Sequence, residues 1–398
     1  MLATIFYHCI CPAVFSQSPI LDVDSELSYC IIQVKKTLSE KQPYSKLPRR
    51  IARGDTNWNY VDIHDWTSGF WPGTLWYAYE FSKEKALREA AAEYTQGLTP
   101  VLDEKQHDHD LGFMFYTSAG NGYRLTDREE YKREVLRAAD SLALLFNPKV
   151  GTILSWPGMV KQMNWPHNTI MDNMINLEML FWASKNGGGK KLYRIAEKHA
   201  ETTMKNHFGK HWTAYHVAVY DDRTGKFIKG VTHQGFNDRS MWARGQAWAI
   251  YGFTMSARET GRADFLQTAQ QAAEAYLKDL PADLVPYWDF NDPEIPEATR
   301  DASAAAIVAS GLLELSTLVG DKTVGLRYRM LAEKMLATLA SPSYKSGQTN
   351  HAFLLHSTGH HPNGTEIDVS INYADYYYIE ALTRLKKLRE GKRLNGTR

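Results

Sequence analysis

The stretch "SMWARGQAWAIYGFTMSARETGRADFLQTAQQAAEAYLKDL" (240–280) holds two helices of different kinds separated by Gly261. The first half is aromatic and small with no polar stripe, so it is expected to be buried all round. The second half spaces Phe265, Ala269, Ala272 and Tyr276 at helical intervals and is amphipathic. The pairing recurs along the chain. "SGFWPGTLWYAYEFS", "DLGFMFYTSAGNGY", "DNMINLEMLFWASKN", "DASAAAIVASGLLELSTLVG" and "YADYYYIEALTRLKKL" are of the first kind. "TDREEYKREVLRAADSLALLF", "KKLYRIAEKHAETTMKNHF" and "VGLRYRMLAEKMLATLA" are of the second. In 126–146, Thr126 and Glu129 have capping-box spacing. An acid stands at or just before most buried helices: Asp65, Asp110, Asp172, Asp238 and Asp301, with Asp375 inside the last. Their spacing of about 45 to 75 residues marks repeated helical hairpins. Six hairpins close into a double ring, which predicts an all-α (α/α)6 toroid. An open solenoid fits less well, because these inner helices are too apolar to line an exposed concave face.

Strand signals are confined to connections. "WTAYHVAVYDDRTGKFIKG" (212–230) alternates and turns at Asp221–Gly225, which predicts a β-hairpin. "TILSWPG" and "HAFLLHS" are further short-strand candidates. In a toroid such connections wall the mouth of the central cavity.

The 398 residues divide into an apolar leader-like segment (1–16), an extension with the first helix (17–55) and one (α/α)6 domain (56–390). The leader "MLATIFYHCICPAVFS" resembles a secretory h-region without a basic start. A periplasmic or secreted protein is expected if it is cleaved, a cytoplasmic one otherwise. Forty-six basic and 45 acidic residues give a net charge of +1, with no basic stripe for nucleic acid. No later apolar run is long enough for a membrane span. Cys9, Cys11 and Cys30 are all the cysteines, too clustered for a disulfide framework. The oligomeric state is left open.

"HDHDLGF" (107–113) offers four metal ligands in a row. His107 and His109 face opposite ways in an extended segment, and H-E-x-x-H and Cys/His clusters are absent. A metal is therefore not expected. G-x-S-x-G is absent too. Carboxylates remain. An Asp at a helix start ordinarily caps it, but inner-helix starts also ring the cavity mouth. Asp110 and Asp172 sit in aromatic company, the latter beyond Trp156 and Trp165. A carboxyl walled by rings has its pKa raised and can act as a general acid. The 11 Trp and 22 Tyr suit a sugar cleft.

The blocks "HDLGFMFYTSAGNGY", "DNMINLEMLFWAS" and "THQGFNDRSMWARGQAWAIYGF", in that order, resemble the unsaturated glucuronyl hydrolases (glycoside hydrolase family 88). The resemblance runs from "DWTSGFWPGTLWYAYE" (65–80) to "YADYYYIEAL" (373–382). It implies an (α/α)6 barrel acting on 4,5-unsaturated uronic acids at the non-reducing end of lyase products. The reaction implied is hydration of the C4=C5 vinyl ether, without a cofactor. By motif, Asp172 matches the general acid/base and Asp110 the second essential aspartate, expected to bind sugar hydroxyls. His216 matches a histidine near the double bond; on pattern alone it is an ordinary hairpin side chain. Gln234, Arg244 and Trp248 match substrate contacts, although Arg244 also reads as a buried ion-pair partner. Trp156 and Trp71 are stacking platforms or core. Some members carry a Gly- and Ser-rich loop near the C-terminus that contacts the uronate carboxylate or sulfates. Here Ser370 is the one serine of "HHPNGTEIDVSINYADYYY". The expected substrate is a glycosaminoglycan-derived unsaturated disaccharide. The rivals are an unsaturated rhamnogalacturonyl hydrolase, a sugar epimerase and a non-catalytic sugar-binding toroid. The "THQGF…WARGQAW" block and the His216 strand favour the glucuronyl type.

Overall fold

The computed structural model describes residues 21–394; the leader-like segment lies outside them. Helix α1 (Val23–Ser39) precedes β1 (Leu47–Ile51) and β2 (Asn59–Val61). Helices α2 (Phe70–Ser82) and α3 (Lys85–Gly97) follow. A π-helix (Gly112–Gly120) then runs into α4 (Asn121–Thr126), and α5 is Glu129–Ala143. Next come β3 (Phe146–Asn147), β4 (Thr152–Ile153), the one-turn α6 (Met159–Gln162) and β5 (His167–Ile170). Helices α7 (Asn173–Ala183) and α8 (Lys190–Asn206) lead to β6 (Val217–Tyr220) and β7 (Phe227–Val231). The chain finishes with α9 (Ala243–Thr260), α10 (Ala263–Lys278), α11 (Ala302–Leu318), α12 (Lys322–Leu339), β8 (Ser370–Ile371) and α13 (Asn372–Arg389).

The inner ring is α2, the π-helix, α7, α9, α11 and α13. Each contacts the next, and α13 closes onto α2. Helices α3, α5, α8, α10 and α12 pack outside their own inner partners. The sixth outer helix is α1, which packs on α13 and α2 and buries Leu27, Ile31 and Val34. The expected domain start at 56 therefore cuts through the ring, since its last hairpin joins the two ends of the chain. Composition explains the layers. In α11 every residue from Ala302 to Leu315 is buried, and its alanines let neighbours approach on both sides. In α10 only the stripe Phe265, Thr268, Ala269, Ala272, Ala273 and Tyr276 is buried.

Three local expectations change. Helix α5 starts at Glu129 with no side-chain cap. Thr126 donates back to the Gly122 carbonyl inside its own helix instead (2.6 Å). "HAFLLHS" forms only isolated bridges, Lys345 to Leu354 and Ser357 to Val369. The extension contributes a sheet, with β1 between β2 and β8. The expected hairpin is β6–β7, widened by β5 into a three-stranded antiparallel sheet.

An aromatic plug fills the ring axis: Phe113 lies 5.5 Å from Phe70 and 5.3 Å from Trp248, itself 5.4 Å from Tyr377. On one side of it are the starts of the inner helices. On the other a cavity of about 510 Å³ is lined by Arg258, Glu178, Arg384 and Glu380. Arg258 bridges Glu178 and Glu314, and Arg384 pairs with Glu314 and Glu380. These pairs tie α7, α9, α11 and α13 together at their C-terminal halves. Neither Asp110 nor Asp172 lines that cavity. Among the described residues, no helix is long and apolar enough to cross a membrane.

Candidate active site

Two strand ends and two helix starts assemble the site. Strands β5 and β6 pair Ile170 with Val217, and the Met171 N–H then donates to the His216 carbonyl (3.0 Å). Asp172 and His216 therefore leave the sheet side by side. Asp172 occupies the N-cap of α7 but its side chain caps nothing. By contrast, Asp301 caps α11 by accepting from the Ser303 and Ala304 N–H groups. Among the acids singled out in the sequence, Asp301 caps its helix, whereas Asp172 and Asp110 cap none and stand at the cavity mouth.

Asp110 arrives on the turn before the π-helix. Gly112 has no Cβ, and one placed there would sit 2.4 Å from Asn176 Oδ1 and 2.6 Å from its Cα. Only glycine allows this approach of the π-helix to α7. Asn176 Oδ1 accepts the Phe113 N–H (2.9 Å), locking the two elements together.

Both carboxyls are buried, and burial sets their chemistry. Desolvation pushes the Asp172 pKa up to about 7. The Arg244 charge opposes the rise. So does the Trp248 indole, although its N–H lacks a fully formed hydrogen bond. Asp110 is pushed well above the carboxylate range by burial, then by the charges of Asp108, Asp172 and Asp65, with Arg49 opposing. His216 Nδ1 accepts two backbone N–H groups, from His233 (3.2 Å) and Gln234 (3.1 Å). The ring is therefore neutral and its proton is on Nε2. That Nε2 lies 3.7 Å from Asp172 Oδ2. Burial first, and then neighbouring His233 and Arg244, holds the His216 pKa well below normal.

Trp156 presents its ring to three imidazoles edge-on: His109 at 6.1 Å, His216 at 5.6 Å and His233 at 5.4 Å. Asn168 of β5 holds it there, accepting the Trp156 N–H (2.9 Å) and donating to its carbonyl (3.1 Å). Gln234 is half-buried and donates to the Gly359 carbonyl (3.1 Å). Arg244 has both of its sequence readings. It pairs with Asp301 (2.9 Å), donates to the Thr358 and Gly359 carbonyls (2.5 Å each), and its charge acts on Asp172.

Asp172, Asp110, His216, Gln234, Arg244, Trp248 and Trp156 thus gather at one end of the ring. Trp71 and Ser370 lie near that end, but their side chains are partnered elsewhere. Trp71 points outward from α2 and meets Tyr94 of α3 edge-on at 6.1 Å, a core position. Ser370 is buried in β8, and its hydroxyl accepts from Asn350 (3.0 Å). Other residues enter that the sequence did not single out. Trp242 stacks obliquely on His216 at 4.4 Å, and Arg244 lies 4.6 Å above its ring. Tyr373 stands between Arg244 (5.4 Å) and Arg49 (5.8 Å). His109, one of the ligand candidates of "HDHDLGF", is buried as well. Trp242 and Tyr373 lie within quoted motifs, the one signal available. Asp172 Oδ2, His216 Nε2, Trp248 Nε1, Tyr373 OH and Arg49 Nη1 are buried without a hydrogen-bond partner in the protein. Buried polar groups are normally paired, so their convergence marks a binding surface for a polar ligand.

Residues 33–391 match the sequence profile of Glycosyl Hydrolase Family 88. An unsaturated glucuronyl hydrolase of Formosa agariphila is 42% identical over 351 residues, covering 86% of each chain. An unsaturated chondroitin disaccharide hydrolase of Streptococcus pneumoniae is 32% identical, covering 94% of this chain and 96% of its own. A solved structure, an unsaturated glucuronyl hydrolase specific for heparin, superposes with a TM-score of 0.87 at 40% identity, over 92% of this chain and 98% of that one. The chain is a glycoside hydrolase belonging to Glycosyl Hydrolase Family 88.

Proposed function

We propose that the protein releases 4,5-unsaturated uronic acid from the non-reducing end of lyase-generated oligosaccharides, by hydrating the C4=C5 double bond. The observation that carries this is the Asp172 carboxyl: buried, uncommitted to capping, and titrating at about 7 beside Trp248 and the His216 N–H. Near neutral pH it holds a proton it can give to carbon. The proton goes to C4, and the π electrons of C4=C5 form the new C4–H bond. The cation left at C5 is stabilised by the ring oxygen. Water adds to C5 and loses a proton to the Asp172 carboxylate. The resulting hemiketal opens, making a ketone at C5 and leaving a hemiacetal at C1 that expels the neighbouring sugar.

The remaining residues fit these demands. His216 Nε2–H is a donor, so it steadies the Asp172 carboxylate once the proton has left. Asp110 is placed to receive sugar hydroxyls. Six inner helices direct their N-termini at this end, which favours an anionic uronate. Relatives named for unsaturated glucuronyl and chondroitin disaccharide substrates support a glycosaminoglycan-derived substrate.

Loss of double-bond absorbance tests the reading. Unsaturated chondroitin, hyaluronan and heparin disaccharides are expected to be consumed, each compared with unsaturated rhamnogalacturonan disaccharide. Turnover of the last alone would transfer the protein to the rhamnogalacturonyl reading. No turnover of any would remove the hydration reading.

A further inference from the structure

Of the Asp108–His109–Asp110 turn, the proposed reaction uses Asp110 alone. The backbone turns here, so consecutive side chains converge instead of alternating as in an extended segment. Ligand atoms from all three residues lie within 4.8 Å of one another. His109 Nδ1 is 2.9 Å from the Ser155 carbonyl oxygen, a group that only accepts. The ring proton is therefore on Nδ1, and Nε2 presents a lone pair. That nitrogen is fully buried, has no hydrogen-bond donor in the protein and faces Asp110 Oδ1 at 3.3 Å. Two acceptors at this distance call for a cation or a proton between them.

The geometry fits an ion. A tetrahedral centre with bonds of about 2.1 Å separates its ligands by roughly 3.4 Å. His109 and Asp110 already stand at such an edge. The carbonyl behind Nδ1 is the usual outer partner of a metal-bound imidazole, fixing its tautomer and direction. Asp108 Oδ1 accepts the Asp110 N–H (3.0 Å), which leaves its other oxygen free to approach an ion. Asp108 is exposed, so the third ligand is reached from solvent. Asp65 adds negative charge nearby, and Arg49 partly offsets it.

We propose that Asp108, His109 and Asp110 form an inhibitory site for a divalent transition-metal ion of the zinc class, bound by one imidazole nitrogen and two carboxylates. An ion there occupies the Asp110 oxygens that the sugar needs. Binding stands independently of the proposed reaction; inhibition rests on Asp110 having its place in it.

The full chain, stripped with a chelator, is titrated with Zn²⁺ against a chromophoric zinc indicator, without substrate. One ion per chain is expected. Asp108→Asn keeps the oxygen that accepts the Asp110 N–H and is expected to bind at least about tenfold more weakly, with activity retained. His109→Gln is expected to lose the site. Asp172→Asn, which abolishes the proposed chemistry, is expected to bind Zn²⁺ as the wild type does, so failure of the reaction and failure of the site are read separately. In assays, inhibition is expected at the binding midpoint, reversed by chelator, and shifted in Asp108→Asn. Three outcomes overturn the proposal: no ion bound by the wild type, equal affinity in Asp108→Asn and the wild type, or stoichiometric binding with unchanged activity. Asp108 is exposed, so its substitution tests the site even if His109→Gln fails to fold.

Discussion

At the residue scale the account turns on a proton. Asp172→Asn keeps the shape and loses the acid, so kcat is expected to fall by about 10³ with KM changed only a few-fold. Steady-state kinetics on an unsaturated disaccharide checks this; near-normal kcat would remove Asp172 from its role. The protonated form starts the reaction, so kcat/KM is expected to decline above about pH 7 as that carboxyl ionises. Stability follows with a defined sign. Folding raises the Asp172 pKa from 3.8 to about 7. Its contribution is complete below the unfolded value, shrinks as pH climbs towards about 7, and then levels off. The charged carboxyl costs up to about 4 kcal/mol at pH 8. The Asn variant escapes this cost, so its stability relative to wild type is expected to rise by roughly 2–3 kcal/mol between pH 5 and pH 8. Urea titrations at both pH values measure it; a constant difference would mean that Asp172 is not the buried acid described. His216→Asn places a side-chain oxygen near the former Nδ1 and nothing at Nε2. It is expected to keep the His233 and Gln234 anchors while losing about 10² in kcat.

At the element scale, α9 and α11 are joined by Arg244 and Asp301, both buried. Arg244→Met leaves the Asp301 charge with only its cap hydrogen bonds, an expected loss of about 3–5 kcal/mol. Arg244→Met with Asp301→Asn is expected to recover much of that stability without recovering activity. Denaturation of the two variants checks the order, and equal stability would mean that the pair is not coupled. Elements also show what could be read from the chain. The hairpins were legible because two periodicities alternate. The π-helix was not: "GFMFYTSAG" is apolar throughout and reads as an ordinary buried helix, while its register depends on Asn176 sixty-three residues away. Trp71 misled for a related reason. A helix buried all round carries no polar stripe to tell its inward face from its outward one, and Trp71 points to Tyr94. Strands of two or three residues, such as β2 and β8, are too short to alternate visibly. Asp172 and Asp110 were legible through their aromatic surroundings and motifs. Arg49 was not, because nothing local to β1 connects it to Asp110.

At the scale of the molecule, ring closure sets the site. Helix α1 is the sixth outer helix, so the outer face of α13 depends on it. Deleting residues through Ser39 uncovers the surface under Leu27, Ile31 and Val34. At about 1.5–3 kcal/mol per buried side chain this approaches the stability of a whole domain. The truncated chain is expected to lose cooperative thermal unfolding; an unchanged transition would show that the ring stands without α1. The intact ring aligns six helix starts around one carboxyl that gives its proton to carbon, and this is the central claim. The direct measurement is turnover of an unsaturated disaccharide in D₂O, with the product examined early by NMR. The account predicts one deuterium at C4, delivered to a single face. Sugar release with no deuterium at C4 would contradict it, because the bond broken first would then be the glycosidic one.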